Sequence, residues 1–132
     1  MIVVDASVLV AALTAADRNG TWAADQLADE SLAAPASAPF EVANVLRRLE
    51  ITGDIDRTAA ALALEDLLDL PIDLFPFEVL ARPLWRLRHN VTAYDGAYVA
   101  LAEALGVPLV TLDRRLARAP GTTVAIRTPP PG

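Results

Sequence analysis

Apolar residues along the chain alternate between short continuous runs, typical of buried strands, and longer stretches with helical spacing. The runs predict strands at 2–4, 32–36, 72–75, 109–112 and 124–126. The stretches predict helices at 7–16, 22–29, 58–70, 78–88 and 92–106, another from Pro39 until Gly53 ends it, and a helical turn at 114–118. Asn19 and Gly20 are expected to separate the first two helices, because this pair favours turns.

Strands that alternate with helices predict βα units and hence an α/β fold with a parallel sheet covered on both faces. The length of 132 residues suits one domain, expected over 1–128. A Pro-rich tail at 129–132 is expected to be disordered. In such sheets, ligands bind beyond the carboxyl ends of the strands.

The amino-acid composition excludes several kinds of site. There are no cysteines, which excludes a disulfide framework, a thiolate zinc site and a cysteine nucleophile. The longest uncharged apolar run near the start, at 6–16, is shorter than the roughly 20 residues that span a bilayer. We therefore expect a soluble, cytoplasmic protein without a membrane partner. Its net charge of −6 requires that any RNA be held by a local group of arginines or by a dimer groove.

Four acids are the main candidates for chemistry. Asp5 and Asp113 directly follow predicted strands, whereas Glu41 and Asp95 lie near the starts of predicted helices. Each alone has a structural explanation, since Asp caps helices and negative charge is favourable in a first turn. Thr92 with Asp95 also matches a capping box.

Together the four acids indicate a cation site. Carboxylates that cluster in a partly buried place repel one another unless a cation neutralises them, and the chain has no Lys to do so. Mg²⁺ and Mn²⁺ prefer carboxylate and water oxygens. A zinc site of the usual kind is not expected, because His89 is the only histidine and lies near a helix end.

Polar neighbours could support this site. Ser7 and Thr111 each lie two residues from a candidate acid and could orient a carboxylate, or could equally be caps or satisfied core hydroxyls. Arg114 and Arg115, with Arg118 beyond them, could contact RNA phosphate or could simply solvate a helix.

Four segments match a known family in order and with fitting separations. The segments 2–7, 39–46, 93–102 and 109–116, which read IVVDAS, PFEVANVL, AYDGAYVALA and LVTLDRRL, resemble the four motifs of PIN-domain nucleases. More narrowly, they resemble the VapC toxins of bacterial toxin–antitoxin pairs. Gly96 stands where Ala is commoner in the family.

The resemblance implies a three-layer α/β/α sandwich with a short parallel sheet. It also implies an endoribonuclease that uses Mg²⁺ or Mn²⁺ to hydrolyse structured RNA, such as transfer or ribosomal RNA. The family's metal-binding and catalytic acids map onto Asp5, Glu41, Asp95 and Asp113. A homodimer and a VapB-type antitoxin are the implied protein partners.

Other interpretations predict different observations. A catalytically silent RNA- or protein-binding module would keep the acids as caps and bind no stoichiometric Mn²⁺. A response-regulator receiver would need a Lys that the chain lacks, and a haloacid-dehalogenase-like phosphatase would need an Asp at the position of Ser7.

Overall fold

The computed structural model describes all 132 residues. Five strands form one parallel sheet in the order β3-β2-β1-β4-β5. The strands are β1 (Ile2–Val4), β2 (Leu32–Pro35), β3 (Ile72–Phe75), β4 (Leu109–Val110) and β5 (Ile126–Arg127). The helices are α1 (Ala6–Thr14), α2 (Arg18–Leu27), α3 (Ala38–Ile51), α4 (Arg57–Asp69), α5 (Phe77–Arg86), α6 (Ala93–Leu105) and α7 (Arg114–Ala117).

Two hydrophobic cores, one on each side of the sheet, make the fold a three-layer α/β/α sandwich, as predicted. Alternate residues of the central strand point to opposite sides, with Val3 in one core and Ile2 and Val4 in the other. Helices α1 to α4 contribute to the core that holds Ile2. Helices α5 to α7 cover the opposite face.

Most predicted elements are confirmed, with boundaries shifted by a few residues. The largest difference is at α2, which begins at Arg18 rather than Trp22, so the predicted break at Asn19 and Gly20 is wrong. Asp17 caps this helix by accepting a hydrogen bond from the Gly20 amide at 3.1 Å. A Cβ on Gly20 would lie 1.9 Å from the Ala15 carbonyl oxygen, so this glycine permits close packing rather than ending a helix.

The last two strands also differ from the prediction. β4 ends at Val110 rather than Leu112, and β5 occupies 126–127 rather than 124–126. Past Arg127 the chain has no helix or strand, although Pro129 is buried and its carbonyl accepts a hydrogen bond from Arg114 Nη2 at 2.6 Å. No helix has both the length and the apolar character needed to cross a bilayer.

Candidate active site

The topology brings the two strand-end acids to one edge of the sheet. Asp5 follows β1 and Asp113 lies three residues beyond β4, which is the parallel neighbour of β1. Both acids also act as helix caps. Asp5 accepts from the Val8 amide at 3.2 Å, and Asp113 accepts from the Arg115 amide at 2.9 Å. The structural explanation of each acid is therefore correct, but it does not account for their convergence.

Asp5 is the most enclosed of the four, with 8% of its surface exposed. Its Oδ1 accepts hydrogen bonds from the Ser7 hydroxyl and the Val8 amide, and its Oδ2 accepts one from the Thr111 hydroxyl. Burial raises the pKa of Asp5, and these hydrogen bonds oppose the rise because they favour the charged form. The carboxylate is thus fixed in orientation although its charge is poorly solvated.

The same two hydroxyls hold the loop after β4. Thr111, which is fully buried, accepts from the Asp113 amide at 2.9 Å while donating to Asp5. Ser7 accepts from the Leu112 amide at 3.2 Å while donating to Asp5. Ser7 and Thr111 therefore connect the two strand-end acids, in the places where the sequence suggested they could orient a carboxylate.

Glu41 has one satisfied and one unsatisfied carboxylate oxygen. Tyr98 donates its hydroxyl hydrogen to Oε2 at 3.0 Å, while Oε1 is buried without a hydrogen-bond partner. Burial raises the pKa of Glu41, and the charges of Asp5 and Asp95 raise it further. A buried acceptor without a donor is costly and is rare in folded proteins, so Oε1 is suited to a cation or a water.

Asp95 completes the group from the first turn of α6, where Thr92 Oγ1 accepts from its amide at 3.2 Å. Burial raises the pKa of Asp95, the charge of Asp113 adds to the rise, and Arg115 opposes it. The charges of Asp5 and Asp95 thus act on Glu41, and the charge of Asp113 acts on Asp95. Each of the four predicted acids thus influences, or is influenced by, the charge of at least one other.

The donor set suits a hard, hydrated cation. No group of three or more acidic or histidine side chains is close enough together to enclose an ion. Mg²⁺, however, usually keeps several waters and binds through one or two carboxylates together with substrate phosphate. The all-oxygen chemistry and the unpartnered Glu41 Oε1 fit an ion bound in that way.

Comparison with known proteins decides the family. The PIN domain family profile matches residues 2–121. Ribonuclease VapC1 of Mycobacterium tuberculosis is 40% identical over 126 residues, which are 95% of each chain. The chain belongs to the VapC family of PIN-domain ribonucleases.

Solved structures agree on the fold of this VapC-family chain. VapC20 of Mycobacterium tuberculosis, described as a sarcin-ricin loop cleaving toxin, superposes with a TM-score of 0.69 at 19% identity, covering 93% of this chain and 97% of its own. VapBC2 of Rickettsia felis, crystallised with a promoter DNA fragment, gives a TM-score of 0.65 at 13% identity, covering 97% and 98%.

The two arginines that follow Asp113 make different contacts. Arg115 faces the acids of this VapC-family chain, with its Nε 3.5 Å from Asp113 Oδ1. Arg114 instead donates to the Pro129 carbonyl, which turns it toward the C-terminal tail.

Sequence reasoning missed Tyr98. It lies one helical turn after Asp95, and that spacing on a buried face was the available signal.

Proposed function

We propose that this VapC-family chain is a Mg²⁺- or Mn²⁺-dependent endoribonuclease that acts as the toxin of a type II toxin–antitoxin pair. The observation that carries the proposal is the convergence of four acids from separate segments, with Asp5 held by two hydroxyls and one oxygen of Glu41 left unpartnered. A cluster that costs stability through burial and like charge is typical of a functional site.

The surroundings of each acid indicate its proposed role. The cation would be held, directly or through water, by Asp5, Asp95 and Asp113. The orientation of Asp5 is fixed by its hydrogen bonds. Glu41 would be either a further ligand or the base that accepts a proton from the attacking water, since its Oε1 has no donor and its pKa is raised. The bound ion would supply a water of lowered pKa and neutralise phosphate charge.

The proposed products follow from that arrangement. An attacking water that enters in line with the departing 3′ oxygen gives a 5′-phosphate and a 3′-hydroxyl. Arg115, whose Nε lies 3.5 Å from Asp113 Oδ1, would contact phosphate, whereas Arg114 donates to the Pro129 carbonyl of the tail. Structured RNA, either transfer or ribosomal, is the proposed substrate class, and the description of the similarly folded VapC20 supports the ribosomal choice.

We further propose a VapB-type antitoxin and a second copy of the chain as protein partners in the cytoplasm. The similarly folded VapBC2 supports the antitoxin. An exposed apolar groove of about 430 Å³ between α3, α4 and β3 also supports it, because Phe40 in its wall is 80% exposed and adjoins Glu41. An exposed apolar surface of this kind is typical of a contact with a protein partner.

One observation favours the alternative of a catalytically silent RNA- or protein-binding module. The absence of any three acids close enough to enclose an ion is what such a module would show. Calorimetric titration with Mn²⁺ separates the two: the nuclease should bind Mn²⁺ stoichiometrically and the silent module should not.

Cleavage of RNA tests the proposal directly. Purified protein with Mn²⁺ should cut RNA, and chelation by EDTA should stop it. Asp5→Asn and Asp95→Asn should each lower the rate by at least about a hundredfold while circular dichroism stays unchanged. Asp66→Asn, on the exposed face of α4, is the matched control and should cut normally. Undiminished cutting in EDTA would refute the metal-dependent mechanism.

A further inference from the structure

A polar groove of about 680 Å³ extends away from two of the acids, Asp95 and Asp113. Its other lining residues come from two separate segments, the loop between α5 and α6 and the end of α7. The guanidinium, imidazole and amide side chains among them belong to Arg88, His89, Asn90, Arg115 and Arg118. The groove therefore joins an acidic end to a wall rich in cations and hydrogen-bond donors.

Of the three arginines of this wall, Arg115 pairs with Asp113, whereas Arg88 and Arg118 form no ion pair within the protein. Acids outnumber arginines by 17 to 11, yet neither Arg88 nor Arg118 has a carboxylate within 4.0 Å. Arg88 is nonetheless held in place, because its Nη1 donates to the Trp85 carbonyl at 2.9 Å and its guanidinium lies 4.8 Å from the Trp85 ring centre. A positioned arginine without a counter-ion in an acidic protein is suited to an external anion.

We propose that this groove binds the RNA backbone beside the scissile phosphate, with Arg88 and Arg118 as the principal phosphate contacts. The proposal rests on the nuclease function proposed above. The guanidinium groups donate in pairs to phosphate oxygens, and both lie in the groove that opens at Asp95 and Asp113. Because the chain carries a net charge of −6, a local cationic wall is what allows a polyanion to approach the acids.

Salt dependence of RNA binding distinguishes phosphate contacts from a merely structural role. In an Asp5→Asn background that prevents cleavage, the Arg88→Ala, Arg118→Ala double variant is titrated with a fluorescein-labelled RNA hairpin at several salt concentrations. Affinity should fall about tenfold or more at low salt. The slope of log affinity against log salt should become shallower by about 0.7 to 0.9 per arginine removed.

Matched variants control for overall charge and for folding. Arg57→Ala with Arg82→Ala removes two exposed arginines outside the groove and should leave the slope nearly unchanged. Arg88→Lys with Arg118→Lys keeps the charge, so the slope should be restored while part of the affinity loss remains, because Lys cannot donate in pairs. Circular dichroism of each variant should match the parent.

The outcomes separate this proposal from the nuclease assignment. An unchanged slope and affinity in the alanine double variant would overturn the groove proposal, even while Asp5-dependent cleavage stands. Equal losses in the Arg57, Arg82 control would also overturn it, because net charge alone would then explain binding. A parent that neither binds nor cuts RNA would sink both proposals together.

Discussion

At Asp5, one side chain serves the fold and the site together. Its carboxylate caps α1, yet burial raises its pKa and so works against the charge that a cation site requires. The hydroxyls of Ser7 and Thr111 offset that cost by donating to the two carboxylate oxygens. Glu41 has less complete support, because Tyr98 donates to its Oε2 while its Oε1 has no hydrogen-bond partner. The Tyr98 hydroxyl therefore has the leading part in positioning Glu41.

Removal of that hydroxyl tests its role. Tyr98→Phe deletes the 3.0 Å hydrogen bond to Glu41 Oε2 and leaves the buried ring in place. RNA cleavage should fall about 10- to 100-fold, as is usual when a group that orients a metal ligand is lost. Stability should fall by about 1 kcal/mol. Single-turnover cleavage and urea unfolding measure the two effects.

The same helix provides the control for Tyr98. Tyr94→Phe removes a hydroxyl from a ring that is 67% exposed and has no hydrogen bond to the acids. This variant should cleave RNA at the parental rate. If Tyr98→Phe also retained the parental rate and metal affinity, the positioning role of Tyr98 would have to be abandoned.

Among the elements, α6 is the one whose ends and buried face the sequence defines best. Thr92 caps its start, and Gly106 ends it in the left-handed conformation with φ +66°. Gly96, by contrast, lies within the helix, and a Cβ there would come no closer than 3.5 Å to any neighbour. A side chain is therefore unfavourable at position 106 and can be accommodated at position 96.

Replacement of each glycine by alanine should change stability in opposite directions. Gly106→Ala should cost about 1 kcal/mol, because a Cβ is unfavourable at positive φ. Gly96→Ala should add about 0.5 to 1 kcal/mol through helix propensity. Urea denaturation of both variants measures the change, and a loss of stability for Gly96→Ala would show that α6 has no room for the methyl group.

Elements with strong local signals were predictable, and contacts between distant segments were not. β1, β3 and α6 follow from apolar runs and caps that lie within a few residues. The start of α2 was missed because Gly20 resembles a breaker, whereas its role depends on packing against Ala15. Likewise, Tyr98 meets Glu41 across 57 positions, which no local pattern encodes. The four acids could be found because each belongs to a recognisable motif.

For the whole molecule, the acid cluster links stability to pH and to metal. The pKa values of Asp5, Glu41 and Asp95 are all raised, so the folded state favours their neutral forms. The associated stability is fully present below the ordinary values of about 4 and is lost as pH rises through the folded-state values. A cation that binds only the folded protein should offset this loss.

Unfolding in EDTA at pH 4 and pH 8 tests this linkage. The wild-type protein should lose more unfolding free energy over that interval than Asp5→Asn, in which the buried group carries no charge. Asp66→Asn should keep the wild-type pH dependence. Mn²⁺ at pH 8 should raise the unfolding midpoint of the wild type more than that of Asp5→Asn. Identical behaviour of Asp5→Asn and wild type would contradict the prediction.

The position of β1 in the middle of the sheet determines when the acid site can assemble during synthesis. One of the two hydroxyls that hold Asp5 belongs to Thr111, 106 positions later, and β4 must be available before β1 can be enclosed on that side. During synthesis, which delivers the N-terminal end first, a nascent chain on the ribosome therefore contains Asp5 long before it can assemble the site. Prematurely terminated chains should accordingly be harmless to the RNA of the cell that makes them.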